Sequence, residues 1–504
     1  MLQRTVAVKK RGLGLFLVVG LAVAMALLTW FSVQAEGTPA SNALEQDDHE
    51  TQGSTPVTVQ GTEAVSTTVH LPFVAKKEPM LHSIVGLQIH RITPEGGLAE
   101  AVNAGVTWVR FDTFRWNEIE PVRTDPPTYS WGRVRASNLI NAQQNGMEVV
   151  AIVRGAANWA LKTPGPICGP IDEGALKAFG EFMNALVARY SQPPYNVHYW
   201  EIGNEPDIDP DVVPDLNSEY GCWGDWDDPY YGGRYYAEML KVVYPAIKAA
   251  DPQAQVILGG LLLGCDPRHP DGCTGRPNAD RPSRFLEGIL LNGGGDYFDI
   301  MGYHSYSYWD FQSGLGFMGT PRWPGSDTVV PEKADFVREV LAQYGHGDKP
   351  VMNTEAALLC YDGQLPLGCR EQQAVFIPRA FADAMAEGLE SMIYYAITND
   401  HWLNTGLLRK EDRSPYQTYY SYVATSDYLS SAEYVGPAHG YPPGIEGHEF
   451  ASPTGRLDLV WSADSAPRSV VLAAGVSAYD HYGTLVGTGT TIRVDWHPVW
   501  VTKP

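Results

Sequence analysis

Two short runs in this 504-residue chain place acids where bond-breaking chemistry can use them. The first is Trp200-Glu201-Ile202-Gly203-Asn204-Glu205-Pro206-Asp207, and the second is Pro350-Val351-Met352-Asn353-Thr354-Glu355. Each begins as an apolar strand and ends on acidic and amide side chains. Two carboxyl groups facing one another suit the hydrolysis of an acetal: one protonates the leaving oxygen, and the other attacks the carbon or activates water. A separation of roughly 5–5.5 Å favours direct attack, whereas roughly 6.5–9.5 Å leaves room for water. Neither route requires a metal or an organic cofactor. One member of such a pair must be protonated at rest, its pKa raised by burial and by its neighbour's charge, and the other must be ionised beside a cation that keeps it so.

Such a pair needs a frame that brings residues 150 positions apart to one rim. Eight runs read as strands: His82–Ile89, Thr107–Asp112, Met147–Val153, Val197–Ile202, Gln255–Gly260, Phe298–Tyr303, Pro350–Thr354 and Ser391–Ile397. Most are short and apolar, as expected of parallel strands buried on both faces. Helical stretches lie between them. In Gly174–Tyr190, Leu176, Phe179, Phe182, Met183 and Leu186 recur at helical spacing, and Tyr235–Ala250, Lys333–Tyr344, Gln372–Glu387 and Pro415–Leu429 follow suit. This succession predicts an α/β fold, a closed (β/α)8 TIM barrel over residues 80–430. An open doubly wound sheet is the rival, but no Gly-x-Gly-x-x-Gly directly follows a strand.

Function in such barrels gathers at the carboxyl ends of the strands. Strand two ends at Arg110-Phe111-Asp112, strand six leads into His304-Ser305-Tyr306, and strand eight runs to Asn399-Asp400-His401-Trp402. His90 at the end of strand one and Trp159 after strand three are further substrate-binding candidates, with packing as the alternative for each. Glu201 reads as structural. Asp207, Asp209, Asp211 and Asp215 are interrupted by prolines that break an EF-hand spacing, so they read as a solvated loop and no metal site is expected.

The Trp-Glu-Ile-Gly-Asn-Glu-Pro run of strand four, with Thr-Glu closing strand seven, resembles the clan of retaining (β/α)8-barrel glycoside hydrolases, which includes β-xylosidases, α-L-iduronidases, arabinofuranosidases and endoglucanases. The resemblance spans roughly residues 80 to 430. It implies that Glu205 is the acid/base, that Glu355 is the nucleophile and that Asn204 binds the sugar 2-hydroxyl. It further implies that Arg110 and a strand-six residue, Tyr306 or His304, hold the nucleophile, and that Trp402 forms a floor under the sugar. Ala356-Ala357-Leu358 follows Glu355, where the clan often has an aromatic or a glycine.

The flanking segments read differently. Lys9, Lys10 and Arg11 precede an apolar run from Leu13 to Trp30, and Val33-Gln34-Ala35 resembles a cleavage site, so residues 1–35 are a signal peptide or a membrane anchor. Residues 36–79, rich in Thr, Ser and Gly, read as a flexible linker. Residues 431–504 carry short β-branched runs (Arg456–Trp461, Ser469–Leu472, Val476–Tyr479, Thr490–Val494 and Val499–Val501) that predict a small antiparallel β domain. Six cysteines after an export signal favour disulfides, and the short loops select Cys265–Cys273 and Cys360–Cys369, leaving Cys168 with Cys222.

A formal net charge of −22 opposes binding to nucleic acid or to anionic lipid. The expected partner is an oligo- or polysaccharide, and the expected location is outside the cell, secreted or membrane-anchored. The leading expectation is a glycoside hydrolase working by double displacement; the alternative is a non-catalytic carbohydrate-binding barrel at the cell surface. A metal-dependent barrel hydrolase expects a His-x-His pair, and the sequence has none.

Overall fold

The computed structural model describes residues 83–504 apart from 164, 166, 210–219, 270–271, 276, 309–319, 321, 361–367 and 400–402. The segments read as signal or anchor (1–35) and linker (36–79) lie outside the described residues.

Eight parallel strands close on themselves: β1 (Val85–Gln88), β2 (Trp108–Arg115), β3 (Glu148–Arg154), β4 (Tyr199–Ile202), β5 (Gln255–Leu261), β6 (Ile300–Tyr308), β7 (Val351–Leu359) and β8 (Met392–Tyr394), with β8 pairing back onto β1. The principal helix after each is α1 (Leu98–Asn103), α2 (Ala136–Gln144), α3 (Leu176–Tyr190), α4 (Gly233–Ala250), α5 (Phe285–Leu291), α6 (Val330–Gln343), α7 (Cys369–Ala386) and α8 (Gln417–Leu429). The main apolar core lies between strands and helices. In α3, Phe179, Phe182, Met183 and Leu186 all point into it.

Inside the barrel a separate apolar layer is built from Trp108, Val150, Ile257, Ile300, Met352 and Ile393, one each from β2, β3, β5, β6, β7 and β8, with Tyr199 of β4 against it. This plug floors the barrel. Side chains two residues further along the same pleat, such as Arg110 beyond Trp108 and Glu201 beyond Tyr199, form the next layer toward the carboxyl ends.

Strands six and seven run further than their sequence patterns predict. Tyr306 and Glu355 therefore sit within strands rather than beyond them, because Ala356, Ala357, Leu358 and Leu359 are all buried and continue β7. Strand eight is shorter than the Ser391–Ile397 expected.

The C-terminal segment forms antiparallel sheets separate from the barrel: six strands, β9 (Glu433–Pro437), β10 (Ile445–Ser452), β11 (Gly455–Ser462), β13 (Ser477–Tyr479), β14 (Leu485–Thr488) and β16 (Val499–Lys503), and a pair, β12 (Arg468–Val471) with β15 (Thr491–Val494). They meet the barrel along α7. His448 Nε2 lies 2.9 Å from Asp383 Oδ1, the Tyr482 hydroxyl donates to Glu371 Oε2 (2.5 Å), and the Arg379 guanidinium sits 4.5 Å from the centre of the Trp461 ring.

Three disulfides form in the pairing that the loop lengths select. Cys168–Cys222 ties the loop after β3 to that after β4, Cys265–Cys273 closes a loop after β5, and Cys360–Cys369 joins the end of β7 to the start of α7. Among the described residues, no helix is long and apolar enough to cross a membrane.

Candidate active site

Glu355 reaches the barrel interior because of an irregularity. The β6–β7 register pairs Tyr303 with Asn353 but His304 with Glu355, which makes Thr354 an extra residue on β7. With Met352 facing the interior, strict alternation would send Glu355 outward. The bulge reverses that parity, the kind of re-aiming for which bulges recur beside active sites.

Glu205 arrives by a different device. After β4 the chain turns inward through Gly203, at φ 87°, and Glu205 itself holds φ 49°. A non-glycine residue in the left-handed region costs on the order of 1–3 kcal/mol and persists only where its surroundings hold it. Here the Glu205 N–H donates to the Gly260 carbonyl (3.1 Å), and the side chain is held by the His304 ring.

Arg110 is the hub. Its Nε donates to Glu201 Oε2 (2.5 Å), Nη1 donates to Glu355 Oε1 and more weakly to Gln88 Oε1 (3.3 Å), and Nη2 donates to Asn204 Oδ1 (2.6 Å). The guanidinium is buried. Burial acts against its charge, but Glu201 and Glu355 outweigh that, and its pKa stands above the ordinary arginine value. The second oxygen of Glu355 accepts from the Tyr306 hydroxyl. Burial, reinforced by the Glu355 charge, pushes that phenol well above the usual tyrosine range, so it remains a donor.

His304 Nδ1 lies 2.9 Å from Glu205 Oε1 and 3.5 Å from Glu355 Oε2. Burial holds the imidazole down to about 4, so near neutral pH the ring is uncharged. Its Nδ1 then accepts a hydrogen bond from a protonated Glu205 or donates Nδ1–H to an ionised one. Glu205 is pushed up to about 7, first by burial and in smaller part by the charge of Glu201, while Arg110 and Lys333 act in the opposite direction. The sequence reading assigns this rise to burial and to Glu355; burial leads, and the charge that adds to it is that of Glu201.

The structure thus brings together Arg110, Asn204, Glu205, His304, Tyr306 and Glu355. His90 is one step removed, its ring edge-on to Tyr395 (5.7 Å), which in turn stands edge-on to Tyr306 (6.4 Å). Trp159 is held by packing: its indole N–H donates to the Glu120 carbonyl (3.1 Å) and its ring meets Trp116. Trp402 lies outside the described residues. Glu201, read as merely structural, anchors the hub and also accepts from the Gly260 N–H (3.0 Å). Asp207 corrects the solvated-loop expectation. It is buried and takes the N–H groups of Leu262 (2.9 Å) and Leu263 (2.7 Å) on its two oxygens, because the chain after Glu205 folds down against the end of β5. Asp209 is buried too. Gln88, Tyr395 and Lys333 were missed, since lone polar or aromatic residues in strands and helices carry no motif.

One ligand atom each from Glu205, His304 and Glu355 falls within a span of 4.8 Å, a geometry a metal ion could exploit. The surroundings disfavour one. Arg110 already donates to Glu355, and the Lys333 ammonium acts on the same group of side chains. Two fixed cations leave the trio suited to moving protons rather than to holding a third positive charge.

No protein-family model matches the sequence, and no curated protein matches it. Solved structures do share its architecture. A family 39 glycoside hydrolase from Bacteroides cellulosilyticus WH2 is 18% identical with a TM-score of 0.60, over 84% of this chain and 81% of that one. A family 30 endoxylanase from Clostridium papyrosolvens C71 is 12% identical with a TM-score of 0.55, over 83% and 96%. A conserved exported protein from Bacteroides fragilis is 10% identical with a TM-score of 0.56, over 83% and 97%. With eight parallel strands closed into a barrel and a β layer beyond it, the chain has the fold of the glycoside hydrolases of families 39 and 30.

Proposed function

We propose that the chain is an exported retaining glycoside hydrolase acting on an oligo- or polysaccharide, with Glu205 as acid/base and Glu355 as nucleophile. The observation that carries the reading is a spacing. Oxygens of the two carboxyl groups lie within 4.8 Å of each other, which fits the shorter of the two catalytic spacings, that of direct attack.

In the first step protonated Glu205 gives its proton to the glycosidic oxygen as that bond breaks. The Glu355 carboxylate bonds to the anomeric carbon, forming an ester and releasing the shortened alcohol. Arg110 and Tyr306 orient Glu355, one on each oxygen, and Asn204, whose Oδ1 accepts from Arg110, would bind the 2-hydroxyl. Esterification removes the Glu355 charge and leaves Arg110 less compensated, which favours an ionised Glu205. In the second step Glu205 takes a proton from water, the resulting oxygen attacks the anomeric carbon, and Glu355 departs as carboxylate. Configuration is retained after two inversions.

Export is supported by the disulfides, which persist in oxidising compartments, and by the fold shared with an exported protein. The test is a panel of chromogenic glycosides and plant or microbial oligosaccharides with the purified chain. Turnover of at least one, abolished by Glu355→Ala, supports the reading. A folded chain that binds saccharides and hydrolyses none would make it a binding protein instead.

A further inference from the structure

Lys333 occupies a place that elementary electrostatics disfavours twice. It lies in the first turn of α6, where the helix dipole repels a cation, and it is 4% exposed. Long ammonium side chains are rarely buried unless something needs them. Its Nζ donates to the Leu262 carbonyl at the end of β5 (2.7 Å) and to the His304 carbonyl in β6 (2.9 Å), and it lies 5.5 Å from the centre of the buried Trp323 ring.

We propose that Lys333 is a positioning residue for the acid/base glutamate: its ammonium fastens the end of β5 to the middle of β6 behind His304 and holds a positive charge toward Glu205. This rests on the assignment of Glu205 as acid/base. The two fastened carbonyls matter to that side chain in particular. His304 carries the ring nitrogen 2.9 Å from Glu205 Oε1, and the Leu262 segment gives its N–H to Asp207, two residues beyond Glu205. A shift of either strand would move the proton-handling pair.

The charged and titratable groups facing Glu205 come from every wall. Arg110 of β2 and Lys333 of α6 favour its anion, Glu201 of β4 opposes it, and Tyr306 of β6 and Asp207 stand within electrostatic reach. His304 of β6 and Glu355 of β7 complete the ring. Lys333 itself is held down to about 8 by burial, with Asp207 and Glu205 acting to restore its charge. At the Glu205 midpoint it is therefore still mostly protonated. Its role would be to keep the buried acid from being locked in its protonated form, so that it can serve as base in the second step.

The test is the titration of Glu205 followed by carboxyl infrared difference spectra, with Glu205→Gln identifying the band. Lys333→Met should raise the Glu205 midpoint by roughly one pH unit, and Lys333→Arg should return it toward the wild-type value. The alkaline limb of kcat/KM should move up by the same amount, while kcat at low pH falls as the base step becomes limiting. A midpoint that stays put, with only a lower Tm, would show Lys333 to be structural and overturn the proposal. Should Lys333→Met fail to fold, Lys333→Gln keeps a donor for the two carbonyls, removes the charge and is read the same way. The spectra decide the matter without turnover, so a chain that hydrolyses no glycoside would sink the hydrolase reading separately.

Discussion

Glu205 and Glu355 share one imidazole nitrogen: His304 Nδ1 stands 2.9 Å from an oxygen of the first and 3.5 Å from an oxygen of the second. Both are buried, but their hydrogen-bond partners differ. Glu355 is gripped by a guanidinium and a phenol, and Glu205 by a neutral ring. Neighbouring carboxyl groups set in contrasting environments are what an acid and a nucleophile require.

Removing the nucleophile should be nearly total in effect. Glu355→Ala is expected to lower kcat by about 10⁴-fold or more, and added azide should restore part of it while yielding a glycosyl azide of inverted configuration. Chromatography of the azide product checks this. Unchanged hydrolysis would remove Glu355 from the mechanism.

The pH profile follows from Glu205. A general acid must be protonated, so kcat/KM should fall above a midpoint near 7, about tenfold for each further pH unit. His304, held down to about 4, is already neutral there and does not carry that limb. In Glu205→Gln the limb should vanish along with most activity on substrates with poor leaving groups, while aryl glycosides with good leaving groups lose less.

Tyr306→Phe removes one donor from Glu355 and leaves the fold intact. Turnover should drop by roughly 10²-fold with little change in KM, since the bond steadies charge in the reaction rather than in binding. Arg110→Met differs in kind. It strands Glu201 and Glu355 as buried carboxylates, and chemical denaturation should register a loss of about 3–5 kcal/mol.

The loop disulfides can be ranked by chain length. Cys168–Cys222 spans 54 residues and Cys265–Cys273 only 8, so the chain-entropy argument gives about 4 kcal/mol for the first and about 2.5 kcal/mol for the second. Paired Cys→Ala variants compared by denaturation should keep that order, and the reverse order would point to native-state contacts instead.

The barrel was legible because parallel strands buried on both faces leave unbroken apolar runs at regular intervals, and Glu205 and Glu355 because they interrupt such runs with charge. What escaped was whatever depends on register. Thr354 gives no sign in the sequence that it is an extra residue, yet without that bulge Glu355 would face outward. Asp207 resembles any loop acid until the end of β5 supplies two N–H groups to it. Lys333 resembles a solvated residue of an amphipathic helix. Strands β9, β10 and β14 were missed because many of their residues, Glu433, Glu446 and Leu485 among them, are exposed and leave no continuous apolar face.

The central claim is that two carboxyl groups this close act by covalent double displacement, and stereochemistry tests it most directly. Proton NMR of the first product formed from a cleaved glycoside, recorded before mutarotation, should show the anomeric configuration of the substrate. An initial product of opposite configuration would mean that water attacks directly, contradicting the role given to Glu355.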